Sequence, residues 1–332
     1  MRVLVTGASG FLGGRVAQAL LADGFDLRLL LRPGKPSPLA KAELAYGDLS
    51  DLGSLVKAVR GVQAIIHCAA KCGVWGPLSD YLEVNSVGTS KLLEAARREN
   101  VSYFVYTSTL SVIYNKFPLE GVTEDRPYAA TPKAPYAYSK SLAEREVLLA
   151  NAPGFNSLVL RPHLIWGPGD LHLLPRLAQR ARNGRLFLVS GGPYFIDAVY
   201  IDNIVRAHQL ALSKLISGAP VDGQAFFVGQ DSPQNLILLV NRLLAAVSAP
   251  PIRALVPKVL AQTIALASEW LWNTFGIGGE PPLTSFTVDQ ISTSHWPKID
   301  KAKKLLGYVP KISVEEGLAR LAEAHQRGYL RA

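Results

Sequence analysis

The 332-residue chain is short of cysteine, short of charge and without a long uninterrupted apolar run. Cys68 and Cys72 are its only cysteines, which excludes a disulfide scaffold. No second Cys/His pair stands at ligand spacing, so no metal site is expected. Charged residues make up 18% against 48% hydrophobic ones, and mean hydropathy is +0.16. Such a chain must bury most of its apolar surface, which excludes disorder, collagen and coiled coil. No window reaches the ~18 uncharged apolar residues that cross a bilayer; the nearest, 254–272, is broken by Pro257, Lys258, Gln262 and Glu269. Val3-Leu4-Val5 meets Gly7 too soon for a secretory apolar region, so a cytoplasmic protein is expected, with peripheral membrane contact left open. Acidic residues are also scarce, 26 against 35 Lys plus Arg, for a net charge of +9. That excess calls for an anionic cofactor, a membrane surface or nucleic acid. With no basic tail and no aromatic-basic interleaving, nucleic acid is not expected.

What is present begins with Thr6-Gly7-Ala8-Ser9-Gly10-Phe11-Leu12-Gly13, a glycine turn between an apolar strand and a helical pattern through Val16, Leu20 and Leu21. In that context Gly7 permits the tight turn, Gly10 lets a pyrophosphate approach the backbone, and Gly13 lets helix pack on strand. The phosphates would sit on the exposed N–H groups at the helix N-terminus. A second strand, Leu27 to Leu31, ends in Arg32 rather than in the carboxylate that bonds an NAD ribose. Arg32 suits a 2′-phosphate, so NADP(H) is the expected cofactor and NAD(H) the alternative; a solvated loop arginine is the plainer reading. Further strands at 64–67, 103–107 and 157–160 alternate with helices over 84–98 and from Pro135. This predicts an α/β fold with a Rossmann-type, doubly wound parallel sheet.

Tyr136 and Lys140 stand four residues apart, on one face of a helix. A phenol with a pKa of about 10 is a poor acid or base at neutral pH. An adjacent ammonium, together with an oxidised nicotinamide, is expected to lower it. Tyr106-Thr107-Ser108-Thr109 ends the preceding strand with hydroxyls that can hold a substrate oxygen. Strand alternation favours Thr109 over Ser108.

With these motifs in this order the sequence resembles the extended short-chain dehydrogenase/reductases over almost its whole length. Gly47-Asp48-Leu49 resembles the family's adenine-contacting turn, and His67-Cys68-Ala69-Ala70 its cofactor-lining strand end. Asn85, in Val84-Asn85-Ser86-Val87-Gly88-Thr89, matches the asparagine that supports the active site. Arg161-Pro162-His163-Leu164-Ile165-Trp166-Gly167-Pro168 resembles the segment beside the nicotinamide, and Tyr200-Ile201-Asp202-Asn203 and Leu306-Gly307-Tyr308-Val309-Pro310 match later signatures. The resemblance implies Tyr136 as acid/base, Lys140 on the nicotinamide ribose, Thr109 on the substrate oxygen and Asn85 in support. Cofactor contacts are expected from Gly7, Ser9, Gly10, Phe11, Leu12, Gly13, Arg32, Asp48, Leu49, Ala69, Ala70, Lys71, Thr107, Pro162, Leu164 and Ile165. Residues 1–165, rejoined by 198–230, would form the cofactor domain. Residues 166–197 and 231–332 would form a smaller, mostly helical substrate part.

Within the superfamily, dehydratases carry Asp-Glu after the catalytic Thr, whereas Thr109 precedes Leu110-Ser111. An epimerase needs a polar, cationic pocket, yet 236–247 and 250–277 are dominated by Leu, Ala, Val and Trp. Trp270, Trp272 and Phe275 read either as ordinary core or as a wall around a long lipophilic substrate that dips into a bilayer surface. His163 through Asp170, followed by Leu173-Leu174-Pro175-Arg176-Leu177, resembles the 3β-hydroxysteroid and sterol-4α-carboxylate 3-dehydrogenase branch. Lys71-Cys72-Gly73-Val74-Trp75-Gly76, Pro282-Leu283-Thr284 and His295-Trp296 resemble the 2-alkyl-3-oxoalkanoate reductases of bacterial olefin synthesis. That likeness implies NADPH-dependent reduction of a lipophilic 3-oxo acid, with Ser111, Trp75, His163 and Trp166 at the substrate. It also implies a homodimer and assembly with pathway enzymes. Candidates for the substrate carboxylate are Lys71, His163 and the Arg176/Arg180 face. The alternatives are a sterol dehydrogenase running in the oxidative sense and a non-catalytic NADP-sensing protein. Cys68 and Cys72 read as packing residues.

Overall fold

The computed structural model describes residues 1–115, 117–129 and 134–328. The apolar runs build a seven-stranded sheet in the order Gln224–Val228, Asn156–Pro162, Tyr103–Thr107, Ala64–His67, Arg2–Thr6, Asp26–Leu31, Glu43–Tyr46. Every pairing in it is parallel. Val3, Leu4, Val5, Ile65 and Ile66 are fully buried, because helices cover both faces and no polar alternation is needed. Arg28, like Arg161, is a buried charge inside a strand. Its guanidinium donates to the carbonyls of Ala58 (2.8 Å) and Arg60 (2.7 Å) and pairs with Glu43.

The chain enters at Arg2–Thr6, third from one edge, builds outward to Glu43–Tyr46, then crosses to the middle strand Ala64–His67 on the other side. The order therefore reverses between Arg2–Thr6 and Ala64–His67, and ligands of such sheets bind at the carboxyl ends of the strands there. Strands Ala64–His67 and Tyr103–Thr107 have the bounds expected from sequence. Asn156–Pro162 runs further than 157–160 and takes in Arg161 and Pro162. The helix expected over 84–98 is interrupted, since Leu82–Val87 forms a π-helical turn before Gly88–Arg98.

Helix Phe11–Ala22 buries Gly13, Val16, Ala17 and Leu20 and packs on helix Ile201–Ile216. Strand Gln224–Val228 follows that second helix back into the large sheet. The remainder carries helices Leu173–Arg182, Leu236–Ala246, Lys258–Phe275, Ser285–Ile291 and Val314–Gln326. Small strand pairings hold them. Leu119–Val122, from the first half of the chain, pairs with His295–Pro297, and Phe187–Ser190 pairs with Ala254–Pro257. The largest buried apolar cluster runs from Val3 to Leu321, so both parts share one core. Among the described residues no helix is long and apolar enough to cross a membrane.

Gly13 fixes how closely the first helix meets its strand, since a Cβ there would lie 2.4 Å from the Gly7 carbonyl oxygen. Gly13→Ala is expected to cost about 1–3 kcal/mol by overpacking and to weaken dinucleotide binding. An unchanged urea midpoint would show that the helix is free to shift.

Candidate active site

At the sheet's switch point the two central strand ends touch. Gly7 has φ +71, and a Cβ on it would stand 2.7 Å from the Ala69 amide nitrogen. Gly10 caps the following helix with no side-chain hydrogen bond, and the first turn holds no acidic residue. The helix N-terminus thus keeps free N–H groups for an anion, in a cradle that side chains at Gly7 or Gly13 would fill. Ser9, Gly10, Phe11 and Leu12 are all solvent-accessible at its mouth. A Cβ on Gly169 would lie 3.8 Å from the Phe11 ring, so the 161–170 segment crosses that mouth. Arg32 is exposed just past Asp26–Leu31. Asp48 accepts from the Ser50 amide (2.9 Å) and hydroxyl (2.8 Å). These bonds, with the charge of Arg32 nearby, hold its carboxyl below the usual range. Leu49 is buried beside Gly88. The arrangement fits a dinucleotide: Gly7–Gly13 would hold its phosphates, Arg32 its ribose, Asp48 and Leu49 its adenine, and the strip Ala69–Lys71 would run alongside.

A buried hydrogen-bond chain ties this cradle to the neighbouring helices. The Ala69 amide donates to Thr6 Oγ1 (3.1 Å), which bonds His67 Nδ1 (2.7 Å); His67 Nε2 bonds Thr89 Oγ1 (3.0 Å), which donates to the Asn85 carbonyl (2.6 Å). Asn85 is 1% exposed. Its Oδ1 accepts from the Lys71 amide (2.7 Å), and its Nδ2 donates to the Lys71 carbonyl (3.0 Å) and to Ser139 Oγ (2.9 Å). Ser139 in turn donates to the Tyr136 carbonyl at 2.9 Å. Asn85, within the π-helical turn Leu82–Val87, therefore ties the Lys71 strip to the helix that carries Tyr136.

Tyr136 and Lys140 lie on helix Pro135–Leu149. Lys140 is 2% exposed. Its Nζ donates to the Thr107 carbonyl at 2.6 Å and stands 4.1 Å above the Tyr106 ring. Burial lowers its pKa to about 8. Burial pushes the Tyr136 phenol well above 10, while a hydrogen bond from the Thr109 side chain works the other way. The Lys140 ammonium is held by the Thr107 carbonyl and the Tyr106 ring. Thr109 Oγ1 also caps the 3-10 turn Leu110–Ile113, accepting from the Ser111 amide at 3.2 Å. Ser108 points away and donates to Glu144. Glu144, fully buried, also accepts from Arg161 Nε (2.8 Å), Arg161 Nη2 (2.5 Å) and the Tyr128 hydroxyl (2.8 Å). Thr107 Oγ1 bonds His208 Nε2 at 2.8 Å and sits 3.3 Å from the Cys68 thiol, which burial raises to about 11. A thiol that basic does no nucleophilic work at neutral pH.

The substrate side differs most from expectation. Trp166 does not face a pocket. It is fully buried, its indole donates to the Ala198 carbonyl at 3.1 Å, and Tyr200 and Gly317 pack on it. Its role is in the core. Ser111 stays beside Thr109, and Trp75 is half-buried in the loop where its carbonyl accepts from Tyr81 (2.8 Å). His163 meets His295, Nε2 to Nδ1, at 2.6 Å, and His295 Nε2 donates to the Gln290 carbonyl at 2.7 Å. Those partners assign the bridging proton to His163, and burial keeps both rings neutral. Lys71 pairs with Asp80 at 2.6 Å and Arg176 with Glu280 at 2.9 Å. Pro162, Leu164 and Ile165 lead from the Arg161 anchor into the strand pair with Val199–Tyr200. Among the described residues no group of three or more His, Cys, Asp or Glu side chains is placed to hold a metal ion.

Sequence pattern alone does not mark Glu144, Ser139, His67, His208 or His295 as hydrogen-bonding members of this network. Glu144 had one local signal, its place four residues after Lys140 on the same helix. The partners of the others are fixed only by folding.

Residues 4–251 match the 3-beta hydroxysteroid dehydrogenase/isomerase family. The chain is 42% identical over 324 residues to a 2-alkyl-3-oxoalkanoate reductase from Stenotrophomonas maltophilia (strain K279a), covering 97% of this chain and 98% of that one. It is 31% identical to the mouse (Mus musculus) decarboxylating sterol-4-alpha-carboxylate 3-dehydrogenase, covering 96% of this chain and 90% of that one. Among solved structures, the UDP-glucose 4-epimerase from Thermus thermophilus, in complex with NAD, is 26% identical with a TM-score of 0.72. That match covers 99% of this chain and 100% of the other.

Burial holds His67 at about 3 and His208 at about 4, against 6.5 for a free imidazole. Below pH 6.5 the unfolded chain binds protons that these native rings refuse. Stability is therefore expected to fall from pH 6.5 toward 4, by up to ~1.4 kcal/mol per pH unit for each ring. Urea midpoints at several pH values test this. His208→Gln should flatten the slope between pH 6.5 and 5, and an unchanged slope would mean that His208 titrates normally in the fold.

Proposed function

Because this chain belongs to the 3-beta hydroxysteroid dehydrogenase/isomerase family, and so is an NAD(P)-dependent oxidoreductase acting on a 3-oxo or 3-hydroxy group, we propose that it reduces a lipophilic 2-alkyl-3-oxo acid to the 3-hydroxy acid with NADPH. The observation that carries the reading is geometric: Tyr136 and Lys140 share one face of helix Pro135–Leu149, with the Thr109 side chain in hydrogen-bond reach of the phenol. A reductase needs a proton donor at the substrate oxygen, and a neutral phenol is that form. The nicotinamide, when bound, supplies the hydride. Thr109 orients the carbonyl oxygen toward Tyr136, and Asn85 holds the helix that carries the phenol. Lys140 lies one turn deeper, where its charge favours the phenolate left once the proton has gone.

The substrate carboxylate needs a cation. Lys71 is the nearest candidate in the cofactor strip. Its pair with Asp80 is half-exposed, and such pairs are weak enough to exchange for a substrate anion. Reduction at C3 also removes the carbonyl that would otherwise accept electrons from a departing carboxylate, so it preserves the acid. The relative from Stenotrophomonas maltophilia supports this reading by its name. The murine relative marks the competing one, oxidation of a 3-hydroxysterol acid that releases its carboxylate. Preference for NADPH rests on Arg32, exposed at the ribose end with no carboxylate in its place.

The direct test is NADPH oxidation with a synthetic 2-alkyl-3-oxo acid, beside NAD or NADP reduction with a 3β-hydroxysterol; turnover of the sterol alone would overturn the proposal. Tyr136→Phe is expected to lower kcat by roughly 100- to 10,000-fold with NADPH affinity unchanged, and survival of kcat within a few-fold would remove Tyr136 from the mechanism. Arg32→Ala should raise KM for NADPH roughly ten-fold or more, the loss of a charge-assisted phosphate contact. KM for NADH should stay within about two-fold, and equal effects on the two cofactors would return Arg32 to a solvated loop.

A further inference from the structure

Lys140 carries its charge in a place that gives it no counter-charge in contact. It is 2% exposed. Among the described residues its Nζ has one hydrogen bond, to the Thr107 carbonyl at 2.6 Å, and no ion-pair partner. Glu144, one turn further along the helix, is engaged by Arg161, Tyr128 and Ser108 instead. The other group at Nζ is the face of the Tyr106 ring, its centre 4.1 Å away. An ammonium taken out of water is costly unless compensated, and an aromatic face within about 6 Å attracts it, most strongly where water is excluded.

The fold holds this ring in place. Strand alternation puts Phe104 and Tyr106 on the sheet face that helix Pro135–Leu149 covers, in one apolar cluster with Ala143 and Val147 of that helix. Tyr106 is fully buried, and its cross-strand neighbour His67 packs on it with ring centres 5.5 Å apart. The titratable groups that face Lys140 supply no free anion at neutral pH. Tyr136, on its own helix, and Tyr106 are both held as neutral phenols by burial. From strand Ala64–His67 and the loop after it come His67, kept neutral, and the thiols of Cys68 and Cys72, both raised by burial. His208, behind Thr107, is neutral as well. That leaves the Thr107 carbonyl and the Tyr106 face as the groups in direct contact with the ammonium.

We propose that Tyr106 is a positioning residue of the active site: its ring face keeps Lys140 charged and holds it one turn from Tyr136, so that the charge is in place when the phenol gives up its proton. A carbonyl also accepts from a neutral amine, whereas the ring quadrupole attracts the cation, so Tyr106 is the contact that selects the charged form. This rests on the roles of Tyr136 and Lys140 given above, and it holds whichever 3-oxo substrate is turned over. Burial already brings Lys140 down to about 8, and a further drop of one unit would leave it about half neutral at pH 7.

The test compares Tyr106→Phe, which keeps the ring face, with Tyr106→pentafluorophenylalanine, which keeps the ring outline and reverses the sign of its face. Lys140 is titrated directly in the full chain by NMR with lysine isotopically labelled at Cε, its signal identified by its loss in Lys140→Met. Tyr106→Phe is expected to titrate within about 0.3 pH unit of wild type, and the fluorinated variant about one unit or more lower. The alkaline limb of kcat for NADPH oxidation should move down by the same amount, since that limb reports loss of the Lys140 charge. Native circular dichroism and a cooperative urea transition confirm that both variants fold. Equal Lys140 titrations in the two ring variants overturn the proposal, and so does an alkaline limb that stays in place while the NMR titration moves. A wild-type chain that does not turn over the 2-alkyl-3-oxo acid removes the substrate assignment, and the NMR titration then decides the role of Tyr106 by itself.

Discussion

The buried Glu144–Arg161 pair anchors the helix that carries Tyr136 and Lys140. Tyr136, Lys140 and Glu144 recur every four residues, so they share one face of helix Pro135–Leu149. Fixing Glu144 fixes the rotation of the other two. Its carboxylate is fully enclosed and receives two bonds from Arg161, one from Tyr128 and one from Ser108, the neighbour of Thr109. The Arg161 guanidinium is 5.3 Å from the Tyr128 ring centre and 5.4 Å from that of Phe227. A buried pair of this kind adds little net stability over an apolar substitute, but breaking one side costs about 3–5 kcal/mol because a charge is then stranded. Its value here is registry. Helix, Thr109 loop and strand Asn156–Pro162 meet at this one carboxylate.

A second polar system runs under the cofactor cradle and depends on neutral histidines. His67 bonds Thr6 and Thr89 with its two ring nitrogens, and His208 joins the Ile204 carbonyl to Thr107. Both rings are buried, and every bond uses the neutral form. Protonated rings could accept nothing, so charging either one would break a bond that orients a strand end. The dinucleotide cradle, Lys71 and the Tyr136 helix are thus joined through Asn85 by short, satisfied links, and a buried network rigidifies only when each member has its partner.

Two of the later family signatures prove to be staples. Asn203 donates to Gln230 and to the Ile312 carbonyl and accepts from the amides of Lys311 and Ile312, pinning the C-terminal segment to helix Ile201–Ile216. Asp202 joins Arg15 on the first helix to Arg320 on the last. Tyr308 reaches the Gly229 carbonyl at 2.8 Å, past Gly307 at φ +71. These residues hold the C-terminal segment against the large-sheet part, in keeping with the single core.

The sequence by itself determined what depends on neighbours along the chain. Apolar runs with turn residues at their ends gave the strands, two of them with the observed bounds. The glycine spacing gave the cradle, and a four-residue spacing put Tyr136 and Lys140 on one helix face. Tertiary structure decided whatever depends on residues far apart in sequence meeting in space. It buried Trp166 against Tyr200 and Gly317, although a tryptophan in a loop motif reads equally well as a pocket wall. It joined His163 to His295 across 132 positions and made Glu144, an ordinary helix carboxylate by pattern, the anchor of the site. It also turned the apolar face of Lys258–Phe275 outward, where composition only records that the residues are apolar. Local rules fix backbone conformation and periodicity; which side of an element is buried, and against what, is settled by packing and by the need to satisfy every enclosed charge and hydrogen bond.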